Sequence, residues 1–287
     1  MHQIIKNYRD NDKLRKSFNT LAEKTFGINF EDWYQNGYWT ERYNPHSIVV
    51  DEKVVANVSV NRTPFAVNGE IKNYIQLGTV MTDKEYRNRG LIREIMEDIF
   101  REYGDQAEGI YLFAGDAVHN FYPKFGFSQK KQYEYVRKIS ESKDKRFQKI
   151  SMRDKAAWDS IQEKIQNSYH QSAFEMLDNS QLNMFYITKY MQENVFYSEE
   201  LDTYVVAECE DGTAVISMVI SDREQDLVRI VEGFGPGINE VKLGFTPKNT
   251  KGFVLREVMQ EDTTLFMKGN LDIVEEEKLM FPLLAHA

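Results

Sequence analysis

The residues best suited to chemistry stand at Arg87-Asn88-Arg89-Gly90. Directly after them, apolar residues fall at Leu91, Ile92, Ile95, Met96, Ile99, Phe100 and Tyr103, one stripe of an amphipathic helix of about three and a half turns. The first N–H groups of a helix have no partner inside it and lie at the positive end of its dipole. A glycine at that point lets a phosphate approach the backbone, and Arg87 and Arg89 add positive charge. Taken alone, Arg-x-x-Gly equally suits a charged surface loop in front of a core helix. About 30 residues on stands Asn120-Phe121-Tyr122-Pro123-Lys124-Phe125-Gly126-Phe127, which follows one apolar segment and precedes another.

The elements that must position these residues can be read from periodicity. Leu14, Phe18, Leu21, Ala22 and Phe26 give a helix over 12–26. An aromatic stretch, Phe30 to Tyr43 with Trp33, Tyr34, Tyr38 and Trp39, reads as a short helix and loop broken by Gly37. Residues 48–50 and 54–60 read as a β-branched hairpin, Asn68-Gly69 as a turn and 74–81 as a strand running into the basic loop. After the amphipathic helix, 109–114 is expected to be a buried strand, 117–125 a short helix broken by Pro123, and 129–139 a strand. The fold class is therefore mixed α/β (α+β), a central mixed sheet flanked by helices.

The charged, glycine-free segment 141–149 is the best linker, dividing the chain into 1–140 and 141–287. In the second half, 158–169 and 184–195 are expected to be helical. Residues 204–207 and 214–220 are expected to pair as a hairpin, and 227–231, 240–245, 253–258 and 264–268 to be strands. The element order partly repeats the first half, but no Arg-x-x-Gly and no long striped helix recur. Gly233-Phe234-Gly235-Pro236-Gly237 reads as a turn, for which Pro236 and the lack of a following helix speak more than for a nucleotide loop.

Composition narrows the function. The 287 residues hold 36 Lys+Arg against 45 Asp+Glu, and the imbalance lies almost wholly after residue 140. A net charge of -9 argues against nonspecific nucleic-acid binding. It suits either a cationic small molecule or mere solubility. No apolar run approaches the ~20 residues of a membrane span, and the N-terminus becomes charged too early for a secretory signal, so a cytoplasmic location without membrane partners is expected. The single Cys209 and five scattered histidines give no metal-ligand spacing, and no metal is expected.

A strand, Arg-x-x-Gly opening a helix, a second strand and then Tyr122-x-x-x-Gly126-Phe127 together resemble the GNAT N-acetyltransferases. The likeness covers about residues 3–140 well and 145–287 weakly. The aromatic-rich start and Arg-x-x-Gly-Leu-Ile form are similar to the Eis-like branch, whose second GNAT-like domain lacks cofactor motifs. Two positions depart from the pattern: Ile92 replaces the usual Gly or Ala, and Gly115 replaces an Asn seven residues before the tyrosine.

The resemblance implies acetyl-CoA as cosubstrate, its pyrophosphate on the amides of Arg89, Gly90, Leu91 and Ile92, with Arg87 and Asn88 at the loop. The pantetheine arm would lie beside Val80, Met81 and Thr82, where a backbone N–H could polarise the thioester. Tyr122 would protonate the departing thiolate, or else merely pack under Phe127. Trp33, Tyr34 and Trp39 would flank the acceptor amine by cation–π contact, or else cover the core. The Eis-like resemblance also implies a terminal carboxylate that enters the active site, which with the apolar ending 280–287 offers the Ala287 carboxylate as base, alongside the acidic residues Glu31, Asp32, Asp83 and Glu85 within sequence reach. The implied activity is N-acetylation of a primary amine on a small or peptidic acceptor; an oligomer is compatible with it. The alternatives are an acyl-CoA-binding regulatory module without turnover and a tandem transferase of the peptidoglycan-bridge type using aminoacyl-tRNA, which the near-neutral first half disfavours.

Overall fold

The computed structural model describes residues 2–140, 144–259 and 263–286. After a short β1 (Ile4–Ile5), Asn11 caps α1 (Asp12–Phe26) by accepting from the Leu14 amide, and Gly27 ends it in the left-handed conformation. The aromatic segment forms α2 (Glu31–Gln35) and a loop. Three long antiparallel strands follow: β2 (Tyr43–Val50), β3 (Lys53–Val67) and β4 (Glu70–Thr82). Then come α3 (Leu91–Tyr103), β5 (Gly109–Ala114) and β6 (Ser128–Lys130). The segment expected to be a helix broken by Pro123 is instead two short 3-10 turns, at Asp116–Val118 and Tyr122–Phe125.

The remaining elements are β7 (Tyr133–Lys138), β8 (Gln148–Ile150), α4 (Lys155–Gln166), β9 (Phe174–Met176), α5 (Ser180–Lys189), β10 (Val195–Ser198), β11 (Thr203–Glu210), β12 (Thr213–Ile220), α6 (Leu227–Val231), β13 (Glu240–Leu243), β14 (Val254–Glu257), β15 (Thr264–Gly269) and α7 (Ile273–Glu276). Three further expectations need correction. Residues 227–231 are a helix: Asp226 accepts from the Val228 amide, and Leu227, Ile230 and Val231 are buried at helical spacing. The helix expected at 184–195 lies earlier, and Val195 already begins β10. The strand expected at 129–139 is two strands that enter different sheets.

Two mixed sheets result, with helices packed on them. Among the described residues the first runs β1-β2-β3-β4-β5-β15-β6, with β9 paired to the end of β3. The second runs β14-β7-β13-β12-β11-β10-β8. Strand pairing crosses the expected junction at 140 in both directions: β15 zips along β5 from Ala114 to Gly109, while β7 joins β13 and β14. The segment 279–286 runs back between the sheets. The Phe281 amide donates to Gln132 Oε1, the Leu283 amide to the Gly244 carbonyl, and Phe281 stacks on Tyr111 at 4.0 Å. No helix among the described residues is long and apolar enough to cross a membrane.

Candidate active site

β4 and β5 are parallel neighbours only at Tyr74–Gly109, Ile75–Ile110 and Gln76–Tyr111. Beyond Gln76 they part, so among the described residues no strand lies beside the edge of β4 from Leu77 to Thr82 on that side, and a cleft opens toward α3. Val80, Met81, Thr82, Arg87, Asn88, Arg89, Gly90, Leu91, Ile92, Gly115 and Tyr122 all line it. Asp83 and Glu85, weighed as bases, do not; Asp83 instead accepts from the Glu85 amide and starts the 3-10 turn before Arg87. Ala287 lies outside the described residues.

At one end of the cleft, Asn88 and Gly90 have φ of 61° and 76°. α3 begins at Gly90 with no side chain capping it, which leaves its first amides free for a ligand. A Cβ on Gly90 would meet nothing within 4 Å, so the glycine answers the backbone conformation and keeps the space in front of the helix clear. Arg89 lies over the Tyr86 ring, 4.9 Å from its centroid, and donates to the Glu85 carbonyl. Arg93 and Lys124 also line the cleft. With Arg87 and Arg89 they make four cations and no carboxylate among its described residues, in a chain of net charge -9. Arg93 lies on the face of α3 over Phe125, and Lys124 is within the tyrosine motif; nothing local in the sequence marks either as facing Arg87.

At the other end β4 carries a bulge. Met81 pairs with Asn57 and Gly78 with Ser59, so β4 has one residue more than β3 between these pairs. Thr79 takes the strain at φ 47°, a conformation unfavourable for a β-branched residue. A buried polar chain holds it. Tyr8 hydrogen-bonds Ser47 Oγ, which donates to Asn57 Oδ1 at 2.8 Å; Asn57 Nδ2 donates to Ser59 Oγ at 3.0 Å and to the Thr79 carbonyl at 2.8 Å. The Tyr43 hydroxyl hydrogen-bonds Thr79 Oγ1. Sequence reading missed this lock, whose only local sign is polar Asn57 and Ser59 alternating with valines.

Tyr122 is 5 % exposed and packs on Phe127 and Phe266, while its residue still lines the cleft. Burial against the core and a place on the cleft wall therefore coexist at Tyr122. No hydrogen bond to its hydroxyl is found among the described residues, and burial pushes its pKa up to about 12, so it stays protonated at neutral pH.

Trp33, Tyr34 and Trp39 separate. Trp33 and Trp39 are buried, their indoles donating to the Gln181 and Tyr43 carbonyls. Trp33 lines an apolar pocket that shares Phe26, Thr79 and His286 with the cleft. Tyr34 and Trp39 line a different groove with Arg9 and Arg42, and Tyr34 donates to Asp10. Glu31 pairs with buried Arg15. Far from the cleft, His46, Asp98 and Glu102 approach within 4.8 Å of one another, but the Lys6 ammonium bridges both carboxylates.

Residues 7–129 match the family model for an acetyltransferase (GNAT) domain. A conserved protein from Enterococcus faecalis V583, described as a probable N-acyltransferase, is 14% identical with a TM-score of 0.55 over 92% of this chain and 72% of that one. A GCN5-related N-acetyltransferase from Kribbella flavida shares 14% identity at TM-score 0.55, covering 92% and 70% of the two chains. Eis1 from Mycobacterium abscessus shares 12% identity at TM-score 0.55, covering 92% and 73%. No curated protein sequence gives a significant match. Residues 7–129 thus match a GNAT acetyltransferase domain, and the fold of the chain is similar to that of these GNAT proteins, Eis1 among them.

Proposed function

We propose that this protein transfers an acetyl group from acetyl-CoA to the primary amine of a small-molecule or peptidic acceptor. The observation that carries the reading is the single cleft that joins an uncapped helix start and four cations at one end to the Thr79 bulge and Tyr122 at the other. The diphosphate would rest on the amides of 89–92, with Arg87, Arg93 and Lys124 neutralising its charge. The pantetheine arm would extend along the unpaired edge of β4 at 80–82, where its amides find backbone partners and the thioester reaches the bulge.

A neutral amine attacks the thioester carbon, a backbone N–H of β4 stabilises the developing oxyanion, and the sulfur leaves toward Tyr122. Because burial disfavours the phenolate, Tyr122 presents a hydroxyl donor to the thiolate at every working pH. The attacking amine sheds its surplus proton to water, and water returns to Tyr122 the proton given to the thiolate. Free-thiol release from acetyl-CoA, measured against a panel of amines, tests the proposal. Calorimetric binding of acetyl-CoA without thiol release for any amine would instead favour the binding-module reading.

A further inference from the structure

The pocket beside the cleft has a chemistry that selects among amines. Phe30, Trp33, Leu182, Phe185, Tyr186 and Tyr190 form its wall, and it meets the cleft at Phe26, Thr79 and His286. Among the described residues no carboxylate lines it. The charged group packed on its rings is itself a cation: Lys189 Nζ lies 5.6 Å from the Phe185 centroid and 5.9 Å from that of Tyr190. A polycation would find no carboxylate among the described lining residues, and the nearby Asp32 and Glu23 already act on Lys189.

His286 is the polar group where the two cavities meet. Its ring stacks on Phe113 at 3.7 Å, and its own carbonyl accepts from the Tyr186 hydroxyl at 2.5 Å. These contacts hold the ring, yet Nε2 is shut off from water and has no partner among the described residues. A buried nitrogen left unpaired costs free energy that a ligand N–H would recover. Burial lowers its pKa to about 4, so the ring is neutral at working pH and offers a lone pair rather than a second cation.

We propose that this pocket holds an arylalkylamine, the aromatic body among the rings and the amino group donating to His286 Nε2 beside Thr79. The inference rests on the acyl-CoA reading of the cleft. Held this way, the neutral amine turns its lone pair to the thioester carbon. The N–C bond forms as the C–S bond breaks, the sulfur takes the Tyr122 proton, the surplus amine proton leaves to water, and water reprotonates Tyr122. His286 acts here as a hydrogen-bond acceptor and stores no proton. The pH profile of kcat/KM should therefore follow the ionisation of the acceptor amine, with no histidine limb between pH 5 and 8.

The test uses the full chain with acetyl-CoA, comparing 2-phenylethylamine with spermidine by thiol release. The expected kcat/KM favours 2-phenylethylamine by on the order of 10- to 100-fold, the worth of burying one phenyl ring. His286→Phe, which keeps a ring on Phe113, should lower kcat/KM for 2-phenylethylamine roughly 10-fold or more with unchanged CoA affinity, and His286→Gln should restore part of the loss. Equal or better turnover of spermidine, an unaltered His286→Phe, or a histidine limb that vanishes in His286→Gln would each overturn the assignment. So would faster turnover with octanoyl-CoA than with acetyl-CoA, which would give the pocket to the acyl chain. These results leave the acyl-CoA reading standing, whereas failure of CoA to bind at all would remove that reading and this one with it.

Discussion

Asn57→Ala removes the central member of the chain that holds the Thr79 bulge. Asn57 is 0 % exposed and links Ser47, Ser59 and the Thr79 carbonyl. Truncation breaks three hydrogen bonds, leaves polar groups without partners and opens a small cavity, a cost of roughly 2–4 kcal/mol. For a chain of this size that corresponds to a fall in Tm on the order of 3–7 °C, read by thermal melting. The effect on chemistry follows separately. Thr79 sits at φ 47°, which is unfavourable by about 1–3 kcal/mol for a branched residue, so without its tether the strand relaxes and the thioester loses its backbone donor. We expect kcat to fall roughly 10- to 100-fold while CoA affinity, set at 87–92, changes little. Thr79→Gly in the same background should recover stability and not kcat. A variant that melts early yet keeps full kcat would refute the idea that this lock shapes the acetyl end of the cleft.

Further outcomes are expected. Gly90→Ala should weaken CoA binding by about 5-fold through the φ of 76° alone, and Gly90→Glu should abolish it by adding a carboxylate before the helix; calorimetry distinguishes the two. Tyr122→Phe should lower kcat by on the order of 10²–10⁴ with unaltered CoA affinity, and full activity would return Tyr122 to a purely packing role. His46 is fully buried beside Lys6, Asp98, Glu102 and Tyr103, and burial lowers its pKa to about 4 against 6.5. The unfolded chain then takes up a proton that the folded one refuses. Stability is therefore fully present above about pH 6.5 and falls as pH drops toward 4, by on the order of 3 kcal/mol. Thermal melts of His46→Gln should show a flatter pH dependence across that window, and an identical slope would contradict the assignment.

What could be read from the sequence was local. Arg87 to Ile92 and Tyr122 to Phe127 are legible because a glycine before an apolar stripe, and a tyrosine before Gly-Phe, are short-range patterns. Arg93, Lys124 and His286 join the same cleft only through the parting of β4 from β5 and the return of 279–286, which no periodicity encodes. Residues 227–231 mislead because four apolar residues in a run of five suit a buried strand as well as a single helical turn, and the Asp226 cap decides between them. Likewise 129–139 alternates as one strand should, yet its two parts find partners in different sheets, β15 for one and β13 with β14 for the other. The aromatic run at 30–43 announces a packed element, but which of Trp33, Tyr34 and Trp39 reaches a pocket depends on α5 packing against it through Phe185.

The central claim is that unpaired main-chain donors at the start of α3 grip a diphosphate. A crystal structure with coenzyme A tests it most directly. The account predicts phosphate oxygens within hydrogen-bond distance of amides in 89–92, with Arg87, Arg93 or Lys124 alongside; coenzyme A bound elsewhere, with that turn bare, would contradict it.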